Sequence, residues 1–436
     1  MGARPLSPLR ADSIVSHNLI VTAGSILAGV LGFAFQSVIS HRLDPAAYGG
    51  VFAVVTLITV IGLPGSALTL LMAREASRDR ASGHYAASAA LLGDGNRILL
   101  LLGCGLTIVL VPASPLLSNF LHVPIEFLLA AALGMPFTFA LPLLFGELQG
   151  EQRFAAFAGI AAGQAGLKLV AAVAIGFLLG PVGVVVGISL AGALTYLIVR
   201  GLVRRKLALK ARWRWQRPAL AYLAVILPST LALAVLLSAD VLLVKHFFPA
   251  GIAGQYGAVA ALGRAIFWGA GGVAAVLFPK IVFRESQGRT SLPIILVSLC
   301  LVAGGGGVAL LVISLGAKPL LTAFAGQLYV GGAEYLPWYA LGMTLLGAAA
   351  VLTATHQSRG KRMFLNLLVP IAALEPILII RWHGSVMQVI GILDASMAVL
   401  VIGLLGMYLT VERRTADLGD GTTTAALTAR VAEVMR

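Results

Sequence analysis

Charged residues are scarce in this chain. Of its 436 residues, 31 are Lys or Arg and 17 are Asp or Glu, a charged fraction of 11%, against roughly a quarter in an ordinary soluble domain. Hydrophobic residues make up 59%, and the mean hydropathy is +0.96. This composition excludes an ordinary cytosolic enzyme and a disordered chain. Cysteine is almost absent, and Cys104 and Cys300 both lie in apolar stretches, which excludes a disulfide framework and a CxxC metal site.

Motifs of known enzymes are also missing. The sequence contains no HExxH, no GxxxxGK[ST] and no GxSxG, so we expect no catalytic centre, no metal and no organic cofactor. Runs of alternating hydrophobicity are absent too, which excludes a membrane β-barrel. The net charge of +14 would suggest a nucleic-acid partner in a soluble protein. In a membrane protein it reports topology, so we expect no nucleic-acid binding.

Long apolar runs recur along the whole sequence. A helix of twenty residues crosses the roughly 30 Å hydrocarbon core of a bilayer. Twelve runs have spanning length, which predicts an all-α polytopic membrane protein. They cover residues 14–40, 50–73, 96–115, 125–146, 155–179, 182–203, 218–244, 253–279, 291–315, 335–356, 363–382 and 387–410.

The cations are distributed unequally between the loops. With the N-terminus in the cytoplasm, the cytoplasmic loops and tails hold 25 of the 31 Lys and Arg residues, whereas the opposite loops hold only Arg42, Lys245, Lys318 and Arg381. A miscounted segment would invert this alternation from that point onward. The bias therefore supports twelve segments and predicts that both termini are cytoplasmic.

The two halves of the sequence repeat. Tyr48-Gly49 matches Tyr256-Gly257, GEQRF (150–154) matches GKRMF (360–364), and Arg204-Arg205 matches Arg413-Arg414, all at offsets of 208 to 210. We therefore predict two pseudo-repeated six-helix halves around a central cavity, with the substrate path between them. The predicted divisions are an N-terminal half (1–203), a basic cytoplasmic linker (204–217), a C-terminal half (218–410) and a cytoplasmic tail (411–436).

Two cations fall deep inside the predicted spans, away from their ends. A charged group there is costly and tends to face a cavity or a partner. Arg264 lies roughly 16 Å from the outer end of the eighth segment, with Tyr256 two turns before it on the same face. Lys168 lies in the fifth segment, one turn after Gln164. Structural ion pairs are one interpretation of these cations, and an anionic ligand between the halves is the other.

Acidic and polar residues also occur within the spans. Asp240, Glu375 and Asp394 lie in the seventh, eleventh and twelfth segments, either in structural ion pairs or as sites that bind H+ or Na+ for coupling. The first segment carries a polar and small-residue stripe that includes Asn18 and Gln36. Such a stripe is typical of a packing seam between helices, and a pore lining is the alternative.

Several segments resemble one transporter superfamily. They are RLDPAAYG (42–49), LQGEQRF (148–154), SADVLLVKHF (238–247), GQYGAVAALGRA (254–265) and AFAGQLY (323–329). With twelve helices in two halves, the chain resembles the multidrug/oligosaccharidyl-lipid/polysaccharide (MOP) exporter superfamily. Within it, the chain looks most like the O-antigen and exopolysaccharide flippases of the bacterial inner membrane. The resemblance implies alternating access, a cationic central cavity for the headgroup and a polyprenyl tail that stays in lipid.

These features predict a flippase for a polyprenyl-diphosphate-linked oligosaccharide. Arg264 and Lys168 would bind the diphosphate, with Gln164, Tyr256, Asn18 and Gln36 lining the path. We expect membrane lipids as further partners, together with a polymerase and other polysaccharide-assembly proteins. The first alternative is a multidrug/cation antiporter of the same superfamily, coupled through the buried acids, and the second is a membrane-embedded enzyme of polysaccharide assembly.

Overall fold

The computed structural model describes residues 11–83, 86–207, 213, 217–286, 291–358 and 362–434. Throughout these ranges the regular structure is helical. The helices are α1 (Ala11–Arg42), α2 (Pro45–Gly62), α3 (Gly65–Ser82), α4 (Ala86–Leu121), α5 (Ile125–Gly150), α6 (Phe154–Leu207), α7 (Arg217–Phe247), α8 (Ala250–Ser286), α9 (Leu292–Ala325), a 3₁₀ helix (Gln327–Glu334), α10 (Leu336–Ser358), α11 (Leu365–Arg381) and α12 (Val386–Val434).

The predicted segments coincide with these helices. By length and hydropathy, nine helical stretches within the described ranges can cross a membrane. That number counts α6 once, although Gly180 (φ +64°) breaks it into two arms, 154–179 and 181–207. These arms are the fifth and sixth predicted segments, and α8 and α11 complete the twelve. The linker predicted at 204–217 begins inside α6, and its residues 208–212 and 214–216 lie outside the described residues.

The second predicted segment is divided in the structure. It comprises α2 and α3, which are separated at Leu63 and Pro64. Proline has no N–H to donate and its ring displaces the carbonyl of the preceding turn, so Pro64 interrupts the helix where hydropathy alone predicts a continuous span. The ninth segment ends at a similar irregularity, because α9 departs from helical geometry at Gly316.

The outer surface of the bundle is apolar. Large hydrophobic side chains are exposed on many helices, among them Ile108, Phe177 and Leu315 at 72, 79 and 82%. Exposure on this scale is unfavourable in water and is expected where lipid is the solvent. The exposed apolar belt and the helical fold identify a multi-pass membrane protein.

The packing of the helices repeats between the halves. Helix α1 packs against α6, and α7 packs against α11; α4 packs against α5, and α9 packs against α10. The halves meet where α1 contacts α8 and α9, where α2 contacts α7 and α8, and where α3 contacts α7. Residues on α1, α2, α7 and α8 therefore lie next to the boundary between the halves.

One end of the bundle, here called the closed end, is sealed by close contacts between the halves. It lies where α2 and α8 begin. A Cβ atom added to Gly49 would lie 2.9 Å from the Cα of Gly254, and one added to Gly254 would overlap the carbonyl oxygen of Pro45. Only glycine permits this approach of α2 and α8.

The 3₁₀ helix adds a second layer to the closed end. Its Tyr329 hydroxyl donates a hydrogen bond of 2.8 Å to the carbonyl of Leu43. Burial, with the nearby charge of Asp44, raises the pKa of Tyr329, so the hydroxyl keeps its proton as a donor. In addition, Ser37 of α1 donates to the carbonyl of Phe324 in α9 at 2.7 Å. The contacts at this end are neutral hydrogen bonds and van der Waals contacts.

Candidate substrate and ion site

Arg264 and Asp240 form the centre of the candidate site. The guanidinium Nη2 lies 3.6 Å from the Asp240 carboxylate, and the two side chains are 9% and 0% exposed. The Tyr256 hydroxyl donates to the other oxygen of Asp240 at 2.7 Å. Arg264, Tyr256 and Asp240, predicted separately as site residues, thus form one cluster between α7 and α8.

The ion pair leaves part of Arg264 unsatisfied. Its Nε and Nη2 atoms make no hydrogen bond of ordinary geometry to any described residue, and Oδ1 of Asp240 accepts none. The Tyr339 hydroxyl nevertheless lies close enough to interact with both side chains. A bidentate Arg–carboxylate pair would satisfy these atoms at about 2.9 Å. At 3.6 Å the attraction remains, but the donors stay available to an anion.

Arg264 also reaches across the boundary between the halves. Its Nη1 donates to the Thr56 hydroxyl of α2 at 3.4 Å, and its guanidinium carbon lies 5.3 Å from the centroid of the Phe52 ring. Both residues belong to the N-terminal half, whereas Asp240 belongs to the C-terminal half. The side chain therefore contacts both halves, about four turns along α8 from the closed end.

Glu375 adds a second buried acid beside this cluster. It lies on α11, which packs against α7, and it is fully buried. Neither carboxylate oxygen has a hydrogen-bond partner among the described residues, and the charge of Asp240 lies close enough to act on it. A buried carboxylate without a donor is costly unless it takes up a proton or a cation.

Lys168 lies apart from the Arg264 cluster. It belongs to the first arm of α6 and is partly buried, with its ammonium 4.3 Å from the centroid of the Phe35 ring on α1. In the part of the chain that the structure describes, no carboxylate lies within ion-pair distance of it. Lys168 and Glu375 occupy corresponding helices of the two halves without being paired. Gln164, one turn earlier, is also partly buried.

The remaining predicted residues are spread over the bundle. Gln36 accepts a hydrogen bond from the Tyr48 hydroxyl at 3.2 Å, just below the closed end. The side chain of Asn18 lies outside the described residues. Asp394 is partly buried on α12, against Gly342 of α10, and its Oδ1 has no donor within the described ranges. The structure places Asp394 at a different helix pair from Asp240.

The middle of the α1 stripe faces open space. Thr22, Ser25 and Gly29 are exposed, and added Cβ atoms at Gly29 and Gly32 would meet nothing within 4 Å. The close contact of α1 with α6 in this region is made instead by Gly24, outside the stripe, against Ala158. In this conformation the stripe is mostly solvent- or lipid-accessible, whereas a packing seam would require contact along its length.

Two members of the cluster could not be found from ionisable residues alone. Thr56 is one of four Ser and Thr residues in the apolar second segment, so nothing singles it out. Tyr339 packs edge-on against Tyr256, with 5.6 Å between the ring centroids. Helical spacing predicts Tyr256, Ala260, Arg264 and Trp268 on one face. The first three are buried, but Trp268 is 53% exposed. The buried face therefore ends at Arg264.

Comparison with known proteins gives similarity in fold. No family model and no curated protein matches the chain, but several solved structures match it. A multidrug-resistance MATE-family transporter of the MOP superfamily, in an inward-facing conformation, superposes with a TM-score of 0.69 at 16% identity over 91% of this chain and 98% of that one. The lipid II flippase MurJ, in an inward closed conformation, gives 0.66 at 14% identity over 90% and 87%.

A third structure shows that binding pockets vary within this fold. It is a MOP-superfamily transporter from Pyrococcus furiosus Vc1, described as having a binding pocket of reversed polarity, with a TM-score of 0.59 at 15% identity over 92% of this chain and 96% of that one. The chain therefore has the fold of the MOP-superfamily transporters and flippases. Because one fold carries pockets of opposite polarity, the substrate class has to be argued from the residues of this chain.

Proposed function

We propose that this protein is a MOP-superfamily transporter that moves a polyprenyl-diphosphate-linked oligosaccharide across the bacterial inner membrane by alternating access. Its N- and C-termini are cytoplasmic, so the closed end faces the periplasm. The substrate enters from the cytoplasmic leaflet, with its diphosphate between the halves and its polyprenyl tail in lipid. A polymerase and other polysaccharide-assembly proteins would receive the product on the other side.

The observation that carries this proposal is the incomplete pairing of Arg264. Its Nε and Nη2 atoms make no hydrogen bond of ordinary geometry in the described structure, and its side chain bridges α8 to Thr56 of α2. A diphosphate oxygen would accept these N–H groups in the geometry that a guanidinium favours. Binding would also draw Arg264 away from Thr56 and Phe52, so occupancy of the site would loosen the contact between the halves.

Lys168 supports an anionic substrate from the other half of the molecule. Its ammonium is held by an aromatic ring, with no carboxylate to neutralise it in the described residues. A cation in each half would let the diphosphate contact Arg264 and Lys168 as the halves move past the substrate. The exposed polar stripe on α1, with Thr22 and Ser25, provides hydroxyl groups along the path between the halves for the sugars.

A binding experiment tests the diphosphate. Purified protein in detergent would be titrated with a short polyprenyl diphosphate and, separately, with the corresponding polyprenol. We expect the diphosphate to bind more tightly, and Arg264→Gln and Lys168→Gln each to weaken that binding by at least about ten-fold, the loss of one charged hydrogen bond. Arg205→Gln, at an exposed position on α6, is the matched control. Equal binding of polyprenol and diphosphate would refute the proposal.

Glu375 and Asp240 favour a second candidate, a cation-coupled antiporter. Two neighbouring buried acids, one without any hydrogen-bond donor in the described structure, are suited to taking up H+ or Na+. Transport by a flippase could be coupled through the same two acids, so the identity of the substrate distinguishes the two functions. Transport of a fluorescent organic cation in proteoliposomes, driven by a pH or Na+ gradient and abolished by Glu375→Gln, would favour the antiporter over the flippase.

A further inference from the structure

A basic pocket separate from the Arg264 cluster lies on the surface of the N-terminal half. It is a cavity of about 360 Å³ between α4 and the second arm of α6, lined by Gly93, Asn96, Arg97, Leu100, Leu101, Arg200 and Leu207. None of these residues belongs to the Arg264 cluster. The pocket therefore has a composition and a location that the proposed transport site does not explain.

The two arginines of this pocket are unneutralised. Neither Arg97 nor Arg200 has a carboxylate within ion-pair distance among the described residues, and both are exposed. The neighbouring acid, Asp94, instead accepts the backbone N–H of Trp213 at 2.8 Å. Two guanidinium groups from two helices thus line one cavity with no neutralising carboxylate among the described residues, which favours an anionic occupant.

The floor of the pocket is polar. The Asn96 side-chain amide is 6% exposed and lies 3.1 Å from the hydroxyl of Tyr196, a buried residue of α6. This hydrogen bond joins the two helices beneath the arginines. An added Cβ at Gly93 would meet nothing within 4 Å, so the cavity is open above that residue.

The other lining residues are apolar and the pocket lies at a membrane boundary. Leu101 is 62% exposed, and Leu100 and Leu207 lie beside it. In the sequence, Arg97 is the second residue of the span predicted at 96–115, and Arg200 lies three residues before the end of the span at 182–203. The predicted spans therefore place both arginines at the level where lipid phosphates lie. Leu100 and Leu101, which follow Arg97 into the span, extend toward the hydrocarbon, whereas Leu207 lies on the aqueous side of Arg200.

We propose that this pocket binds the headgroup of an anionic phospholipid of the surrounding bilayer. The phosphate contacts Arg97 and Arg200, and an acyl chain lies along Leu100 and Leu101. Basic pockets between transmembrane helices on the cytoplasmic side are suited to such headgroups. The bound lipid bridges α4 and α6 at the end of the N-terminal half opposite the closed end.

Native mass spectrometry tests this site. The purified protein, equilibrated with mixed phosphatidylglycerol and phosphatidylcholine, should retain phosphatidylglycerol selectively. We expect Arg97→Gln with Arg200→Gln to weaken retention by about 25-fold, about five-fold for each arginine near a bilayer surface. The matched control is Arg204→Gln with Arg205→Gln, which removes the same charge from exposed positions of α6 outside the pocket.

Three results would overturn the proposal. Equal loss of phosphatidylglycerol from the two double Gln variants would indicate diffuse attraction to basic residues. Equal retention of both lipids by the unaltered protein would show that the pocket does not select the headgroup. Full displacement of the lipid by inorganic phosphate at the same concentration would identify a free-anion site. The double variant Arg97→Lys with Arg200→Lys controls for misfolding as the cause of lost lipid binding. It preserves the charge, so it should retain more phosphatidylglycerol than the Gln pair and less than the native arginines, which bind bidentately.

Discussion

The pairing of Asp240 with Arg264 can be tested by separating its structural and functional roles. Asp240→Asn removes the charge but leaves an oxygen that can still accept from the Tyr256 hydroxyl, which donates at 2.7 Å in the native protein. Arg264 would then be a cation that is 8% exposed, with no neutralising carboxylate at 3.6 Å. The substitution therefore isolates the contribution of the ion pair.

The expected cost is large for a single substitution. Breaking a buried ion pair by removing one partner destabilises a protein by about 3 to 5 kcal/mol, whereas replacing both partners is often close to neutral. We therefore expect Asp240→Asn and Arg264→Met to lower the melting temperature singly. The double variant should recover most of the loss, with a coupling free energy on the order of 2 kcal/mol or more.

Thermal unfolding in detergent provides the assay, and accumulation of lipid-linked oligosaccharide in cells that carry each variant provides the functional readout. Recovery of stability without recovery of transport would show that at least one of Arg264 and Asp240 acts in transport beyond stabilising the other. Recovery of both would make the pair purely structural. Additive losses in the double variant would refute the inference that these two charges stabilise each other across 3.6 Å.

Three further predictions concern the closed end, the second acid and the topology. The added Cβ of Gly254→Ala should overlap the Pro45 carbonyl and destabilise the closed end by about 1 to 3 kcal/mol, the cost of overpacking. Gly251→Ala is the control, because its Cβ would meet nothing within 4 Å and should leave the closed end unchanged. The accessibility of engineered cysteines at the closed end to a membrane-impermeant reagent would measure the effect of each substitution. Glu375→Gln should preserve folding, and a loss of transport together with an altered pH dependence would assign it to proton coupling. Reporter fusions after Lys245 and after Arg362 should report periplasm and cytoplasm respectively, and the reverse would contradict the orientation.

Hydropathy predicted the helices well because the bilayer imposes one dominant constraint. Each span must be long, apolar and internally hydrogen-bonded, and the twelve predicted segments coincide with helices or arms of helices. The break at Pro64 was missed because a single proline hardly changes the mean hydropathy of a window. The length of α4, which begins at Ala86, was underestimated because its first residues lie beyond the apolar run.

Glycine spacing predicted close helix packing less reliably than hydropathy predicted the helices. Gly159 with Gly163 and Gly183 with Gly187 share the small-xxx-small pattern. In the structure an added Cβ at Gly187 would lie 2.6 Å from Ala171, whereas Gly159 has no neighbour within 4 Å. The pattern permits close packing, but the partner helix decides whether it occurs.

The depth of Arg264 in the membrane could be predicted from its position along the helix, but its partners could not. Whether it faces Asp240, Glu375 or Lys168 depends on the rotation of several helices about their axes. The sequence constrains that rotation only weakly when most faces are apolar. The structure joins Arg264 to Asp240 and leaves Lys168 with Phe35, while the substrate-binding roles stay predictions.

The location of the ion pairs bears on how the molecule would move. In the described structure Lys206 pairs with Glu147 and Glu151 inside the N-terminal half, Arg264 pairs with Asp240 inside the C-terminal half, and no ion pair crosses between them. Rocking one half against the other would therefore separate no opposite charges in these residues. The rate of opening should then depend weakly on ionic strength and more strongly on the thickness and lateral pressure of the lipid around it.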